Sequence, residues 1–243
     1  MSEESAEVLP THHDEPHVEQ NENRLNRLRA GVLGANDGIV SVAGIVVGVA
    51  GATIESAPIL TAGVAGLVAG AVSMALGEYV SVSSQRDAEK SMLAKEEREL
   101  REDPQDELEE LAAIYAAKGL SEQTAMQVAR ELTAHDAFAA HVEAELRIDP
   151  DDLTSPTQAA VTSAIAFTLG GLLPLVAILL PPASWRVPVC VVAVLVALGI
   201  AGWVGARLGG AAPLKAMLRV VIGGGIGLAV TYGIGMALGT AVG

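Results

Sequence analysis

The chain has 243 residues, is 51% hydrophobic, carries a formal net charge of −14 at pH 7 and has a mean hydropathy of +0.42. A water-soluble domain of this length is rarely so apolar while holding 29 acidic residues, so the composition argues against a single soluble domain. The acids are concentrated: residues 85–153 contain 19 acids against 8 lysines and arginines, whereas residues 31–83 and 156–243 are nearly uncharged. The sequence therefore predicts an all-α membrane protein with one acidic, water-exposed insert, and no nucleic-acid partner is expected.

The first 23 residues form a polar, acidic tail that contains His12, His13 and His17. The tail has no apolar core, so we expect no cleavable signal peptide there. Its composition favours a solvated, disordered terminus, and weak metal collection by the histidines is the alternative.

Five apolar stretches are long enough to cross a bilayer, which takes about 20 residues per crossing. Lysines and arginines precede the first stretch and lie around the loop before the last one, whereas the opposite side of the membrane has only Arg186. Because positive charges favour the cytoplasmic side, we expect the N-terminus and the insert in the cytoplasm and the C-terminus outside it. A bacterial plasma membrane fits these spans, although a vacuole-type membrane would have the same topology. The spans are predicted near residues 31–52, 58–82, 157–180, 187–208 and 216–240.

The acidic insert is predicted to form three helices between the second and third spans. The first continues the second span to residue 103, the next runs from Pro104 to Gly119, and the third starts at Ser121 and runs to about Arg147. The predicted organisation is thus a tail (1–23), two spans (24–84), a cytoplasmic metal-binding insert (85–153) and three further spans (154–243).

Two carboxylates and a thioether lie within the first two spans. Asp37 is about 10 Å into the first span at 1.5 Å per residue. Met74 and Glu78 are spaced i, i+4 and share one face of the second helix. Carboxylates at membrane depth mark ion or proton routes, and oxygen ligands with a soft sulfur suit a transition metal. We therefore expect a cation path. The alternatives are helix capping for Asp37, an interfacial position for Glu78, and lipid contact or core packing for Met74.

The first two insert helices carry glutamates in the pattern E-x2-E-x7-E-x2-E. Each pair is spaced i, i+3 on one helical face, and the break at Pro104 allows the two helices to fold together. In the third helix, a histidine and a glutamate are spaced i, i+4. Converging carboxylates suit Fe²⁺ or Mn²⁺, and the alternative is a solvated acidic surface. The expected metal ligands are Glu96, Glu99, Glu107, Glu110, His141 and Glu145.

The stretches LGANDGIVSVAGIVVGVAGA and AGAVSMALGEYVSVSSQRDAE, with the glutamate pattern that follows, resemble the vacuolar iron transporter family. The resemblance covers the chain from about residue 24. It implies a homodimer that moves Fe²⁺, often also Mn²⁺, out of the cytosol in exchange for protons. It also implies that Asp37 and Met74 lie on the path between the subunits, with Glu78 nearby, and that the glutamates of the insert gather metal.

One departure from the family pattern concerns the cargo. Plant members carry a methionine pair where this chain has His141 and Val142. Imidazole remains a ligand for Fe²⁺ and also for Zn²⁺ or Co²⁺, so the departure affects metal preference and not the class of protein. The expected partners are divalent cations, protons, membrane lipid and a second copy of the chain. No resident cofactor and no enzymatic activity are expected.

Three other functions compete with proton-coupled export. A passive divalent-cation channel would use the same lining residues but would be indifferent to a pH gradient. A membrane-anchored metal sensor or store would need only the insert, and it would leave Asp37 unexplained. A carboxylate-bridged iron oxidoreductase is disfavoured, because the insert lacks the two Glu-x-x-His motifs that such chemistry usually uses.

Overall fold

The computed structural model describes the backbone of residues 18–150 and 153–242, and it is helical there, with no β-strand in those two ranges. The predicted tail with its three histidines lies outside the described residues, except for 18–23, which begin the first helix. The elements are α1 (Val18–Ala52), α2 (Ser56–Glu102), α3 (Pro104–Ala117), α4 (Glu122–His141), a π-helical turn (Val142–Leu146), α5 (Pro156–Leu179), α6 (Arg186–Leu208) and α7 (Pro213–Val242).

Five helices of the described chain are long and apolar enough to cross a membrane, as the sequence predicted. Two of them begin at a proline, Pro156 in α5 and Pro213 in α7, where the missing N–H costs no helical hydrogen bond. Helix α2 continues well past its apolar half as a charged segment. The candidate spans are Gly31–Ala52, Ser56–Glu102, Pro156–Leu179, Arg186–Leu208 and Pro213–Thr240.

The chain divides into two compact units. The first contains the residues up to Ala75 and those from Val161 onward, and the second is Leu76–Ala160, which includes the acidic insert. Helix α2 contributes its apolar half to the first unit and its charged half to the second. Each unit has its own cluster of buried apolar side chains.

In the first unit, α1 packs against α5, α6 and α7 and supplies much of the core. Its contacts with α5 and α7 require glycine, because a methyl group on Gly38 would collide with the carbonyl of Phe167, and one on Gly235 would collide with the carbonyl of Gly48. Backbones in such contact gain van der Waals packing in a bilayer. The fully buried members of this core include Val42, Val46, Ile59, Ile178, Val194 and Leu198.

Large apolar side chains also cover the outer faces of the helices of the first unit. Leu169 of α5 is 65% exposed, and Val192 and Ile200 of α6 and Ile226 of α7 are exposed to a similar extent. Water-soluble monomers rarely expose so many large apolar side chains on neighbouring helices. These faces are suited to contact with lipid.

In the second unit, α3 and α4 pack against each other around Leu111 and Ala129. Helix α3 starts with Pro104 at its first position and ends before Gly119, whose φ of +105° is a conformation that favours glycine. Ser121 caps α4, because its Oγ accepts a hydrogen bond from the backbone N–H of Thr124 at 3.3 Å.

Candidate functional site

A sharp turn between α2 and α3 brings glutamates from the two helices together. Asp103 separates the helices with φ −132° and ψ 55°, and its own N–H still donates to the carbonyl of Glu99 at 2.8 Å. The carbonyl of Asp103 in turn accepts from the N–H of Glu107 at 3.2 Å. Because Pro104 cannot continue α2, the chain reverses here.

Three side chains of the second unit converge in its interior: Glu96 from α2, Glu107 from α3 and His141 from the end of α4. Each offers one ligand atom, and these atoms all lie within 4.8 Å of one another. Nδ1 of His141 is 2.9 Å from Oε1 of Glu96 and 3.5 Å from Oε2 of Glu107. All three residues are buried, with the imidazole fully enclosed.

Three polar atoms of this group are buried without a hydrogen-bond partner. Oε1 of Glu96 and both ring nitrogens of His141 have no hydrogen-bond partner, although the 2.9 Å separation is short enough for a bond. The distance thus establishes proximity without a hydrogen bond. Leaving buried polar atoms unpaired costs about 1–3 kcal/mol for each group. A cation bound between them would satisfy the carboxylates and one ring nitrogen at the same time.

Burial and mutual repulsion shift the pKa values of these residues. Loss of water raises the pKa of Glu96 from its ordinary 4.5 to about 7, and the charges of Glu145 and Glu107 add to the rise. Loss of water also raises the pKa of Glu107, with Glu110 as the next cause, and lowers the pKa of His141. Without a cation, the group therefore favours protonated carboxyls and a neutral imidazole.

The other three predicted ligands surround this buried group without entering it. Glu145 is largely exposed, yet partial loss of water and the charge of Glu110 raise the pKa of its carboxyl, and its side chain interacts with Glu96. Glu110 is exposed. Glu99 is half-exposed, and its Oε2 accepts from Nζ of Lys95 at 2.7 Å. The predicted six ligands thus divide into three buried and three outer residues.

The ion pair between Lys95 and Glu99 was not predicted as part of the site. The hydrogen bond to Glu99, followed by the negative charge of Glu99, raises the pKa of Lys95. The lysine charge in turn opposes the rise in the pKa of Glu107 and Glu145. The i, i+4 spacing of Lys95 and Glu99 is the sequence signal that could have found it.

The segment that carries His141 departs from the uninterrupted third helix that the sequence predicts. Asp136 has φ −158° and ψ 100°, and its carboxylate restarts the helix by accepting from the N–H of Ala139 at 3.0 Å. After His141 the helix widens into the π-turn, which the N–H of Arg147 closes on the carbonyl of Val142 at 2.7 Å. The aspartate offers the cap that allows the break, and π-turns are frequent at functional sites.

The predicted membrane residues lie on α1 and α2. Asp37 is half-buried, and its Oδ1 accepts a hydrogen bond from Oγ of Ser41 at 3.2 Å. Met74 is half-buried and packs at the edge of the core of the first unit. Glu78 follows one helical turn later and belongs to the second unit. Their role as a path stays a prediction.

Comparison with known proteins identifies the family. A model of the VIT family matches residues 28–236. The chain belongs to the VIT family. It is 44% identical over 209 residues to the "Vacuolar iron transporter" of Acanthamoeba castellanii, covering 86% of this chain and 77% of that protein. It is 36% identical over 218 residues to "Vacuolar iron transporter homolog 4" of Arabidopsis thaliana, covering 89% and 86%.

A rice relative is also similar over most of the chain. "Vacuolar iron transporter homolog 1" of Oryza sativa subsp. japonica is 38% identical over 215 residues, covering 87% of this chain and 73% of that protein. The resemblance inferred from the two membrane motifs is thereby confirmed. VIT family membership, together with five apolar helices, makes the chain an integral membrane protein of a transporter family and not an enzyme. Membership of this family supports metal-ion transport as the function of the chain.

Proposed function

We propose that this VIT family member is a metal–proton exchanger that moves Fe²⁺, and with it Mn²⁺, out of the cytosol. The observation that carries the proposal is the buried group of Glu96, Glu107 and His141, whose ligand atoms lie within 4.8 Å of one another. The printed names of the relatives support iron as the cargo.

Capture of the cation begins in the acidic insert, a three-helix metal-binding module in this proposal. Glu96 and Glu107 supply oxygen ligands and His141 supplies a nitrogen, a donor set that suits Fe²⁺ and also admits Zn²⁺ or Co²⁺. Glu99, Glu110 and Glu145 form an outer negative ring that raises the local cation concentration. Because burial favours protons on the carboxyls, an arriving cation displaces protons as it binds.

Passage across the membrane uses Asp37, Met74 and Glu78. The hydrogen bond from Ser41 orients the carboxylate of Asp37, and the thioether of Met74 is a soft, weakly held ligand that permits release. In this proposal protons move along the same path in the direction opposite to the cation, which couples the two fluxes. A homodimer surrounded by lipid, with the N-terminus and the insert in the cytosol, completes the proposal.

Flux into proteoliposomes tests this proposal. Fe²⁺ uptake is measured under reducing conditions, with and without an imposed pH gradient, for the wild type and for Asp37→Asn, which keeps the shape of the side chain but removes its charge. Glu55→Gln is the matched control, because Glu55 is exposed in the link between α1 and α2. We expect uptake that requires the gradient, is lost in Asp37→Asn and persists in Glu55→Gln.

The other outcomes separate the competing functions. Uptake that ignores the gradient but is lost in Asp37→Asn indicates a passive channel. No uptake by a protein that still binds Fe²⁺ indicates an anchored sensor or store, and it contradicts transport by this chain.

A further inference from the structure

A buried arginine lies where the link between α1 and α2 meets the start of α6. Arg186 is only 6% exposed. Its Nη1 donates to the carbonyl of Ile54 at 3.0 Å, and its Nη2 donates to Oγ of Ser56 at 3.1 Å. Its Nε is buried and has no hydrogen-bond partner. Since guanidinium stays charged, this is a buried cation whose contacts are neutral oxygens and which uses only two of its five N–H groups.

The start of α6 adds positive potential at the same place. Arg186 is the first residue of α6, and the capping residue Trp185 makes no side-chain hydrogen bond to the helix. The first N–H groups of a helix lack internal partners and carry the positive end of the helix dipole, which attracts anions. At this helix the N–H of Arg186 donates to the carbonyl of Pro182 at 3.1 Å, the N–H of Val189 donates to the carbonyl of Trp185 at 3.0 Å, and Pro188 has no N–H. The charge of the guanidinium, which has no carboxylate partner among the described residues, is therefore the main feature that favours a negatively charged ligand here.

These groups line a cavity of about 580 Å³ in the first unit. Thr53 and Ser184 add hydroxyl groups to its wall, beside Arg186. Val192 and Tyr232 belong to the remaining wall, which is mainly apolar. The cavity thus combines one end suited to an oxyanion with a wall suited to hydrocarbon.

We propose that this cavity binds the phosphate of an anionic phospholipid, with part of an acyl chain along the apolar wall. Arg186 donates to a phosphate oxygen through a guanidinium N–H that Ile54 and Ser56 leave unused, while it holds the link between α1 and α2 through these two residues. Free inorganic phosphate shares the headgroup chemistry, but it makes no use of the apolar wall. The proposal does not depend on which metal the protein carries.

Native mass spectrometry of the detergent-purified full-length chain tests the proposal, with phosphatidylglycerol as the anionic probe and phosphatidylcholine as the zwitterionic one. We expect retention of phosphatidylglycerol over phosphatidylcholine by the wild type. Arg186→Gln should weaken this retention by about tenfold or more, the size expected for one lost charge-assisted hydrogen bond. The matched control is Arg207→Gln, since Arg207 is an exposed arginine at the other end of α6.

A second variant covers the case in which Arg186→Gln fails to fold. Val192 lines the cavity and its side chain is exposed, so Val192→Trp should narrow the cavity without disturbing the core. This variant keeps Arg186, and it should also weaken retention of phosphatidylglycerol. Equal losses in Arg186→Gln and Arg207→Gln would mean diffuse surface attraction and would overturn the proposal, as would full retention by Val192→Trp. Displacement of the lipid by millimolar inorganic phosphate, with no preference for phosphatidylglycerol, would assign the site to a free oxyanion instead.

Discussion

Nδ1 of His141 lies 2.9 Å from Oε1 of Glu96, and both side chains are buried in the acidic insert. The pKa of the imidazole is lowered and that of the carboxyl is raised, so the pair does not persist as an ion pair near neutral pH. An uncharged imidazole and a carboxyl that loses its proton near pH 7 are both available to a divalent cation.

Removing one buried carboxylate should weaken metal binding by the full-length protein. Glu96→Gln keeps the shape of the side chain but removes a charged ligand. Loss of a residue that only supports a metal ligand lowers metal affinity by ~10- to 100-fold, so loss of a ligand itself should lower affinity for Fe²⁺ and Mn²⁺ by at least as much. Glu97→Gln is the matched control, because Glu97 is the adjacent, exposed residue. Titration calorimetry under reducing conditions compares them, and equal affinities for the two variants would remove Glu96 from the site.

Metal affinity should rise with pH through about 7. The pKa of Glu96 is raised to about 7 and that of Glu107 is raised as well, so at pH 5.5 a cation must displace protons that are largely absent at pH 8. Proton release on Mn²⁺ binding, measured in two buffers of different ionisation enthalpy, checks this directly. A pH-independent affinity would show that the carboxyls are already ionised in the metal-free protein.

Without metal, the insert should become less stable as the pH rises. A carboxyl whose folded pKa is raised contributes stability that is complete below the unfolded value of 4.5 and is lost as the pH passes about 7. The lowered pKa of His141 acts in the opposite direction, through stability that is lost as the pH falls. Because three carboxyls oppose one imidazole, hydrogen exchange across residues 96–145 should be slower at pH 5.5 than at pH 8 after correction for the intrinsic rate. Saturating Mn²⁺ should remove this difference.

Replacing the imidazole should change metal preference. His141→Met keeps a side chain of similar volume but exchanges a nitrogen ligand for a weak thioether, so affinity for Zn²⁺ and Co²⁺ should fall more than affinity for Mn²⁺, which favours oxygen ligands. Competition between Zn²⁺ and Mn²⁺ for the purified protein measures the ratio. An equal loss for all three cations would mean that His141 supports the fold and does not contact the metal.

The close approach of α1 and α7 should make one glycine sensitive to substitution. Gly235→Ala places a methyl group against the carbonyl of Gly48, so the helices must separate, at a cost of about 1–3 kcal/mol. Gly223→Ala on the same helix is the control, because a methyl group there meets no atom within 4 Å. Thermal unfolding in detergent should show a lower midpoint for Gly235→Ala alone, and equal midpoints would contradict the packing.

The sequence predicted the membrane helices well because about 20 apolar residues in a row have few other uses. The predicted last three spans agree within a few residues with Pro156–Leu179, Arg186–Leu208 and Pro213–Thr240. The helices of the first two spans are longer than the spans themselves, because α1 begins at Val18 and α2 continues to Glu102. The glutamate pattern singled out residues that the fold brings together, but it could not show that Glu96 and Glu107 are buried while Glu99 and Glu110 are not. That division depends on the turn at Asp103, which sets the rotation of α3 relative to α2, and rotation is not encoded in spacing alone.

The burial of His141 also could not be predicted from spacing alone. Its i, i+4 spacing from Glu145 predicts that both face the site, yet the imidazole is fully buried and Glu145 is largely exposed. The break at Asp136 and the π-turn after His141 alter the direction of both side chains. These are tertiary effects, because the buried residues Val142 and Ala144 of the turn pack against the rest of the second unit.

The glycine contacts of α1 also bear on how the protein is made. Gly48 and Gly235 meet across the first unit, although nearly the whole chain separates them in order of synthesis. Helix α1 enters the bilayer early, and its flat glycine face has no partner until α5 and then α7 have followed. A nascent chain that stops before α7 would present that face to lipid or to other helices, and such unpaired surfaces invite misassembly. Biogenesis of this protein is therefore completed late, by its last described helix.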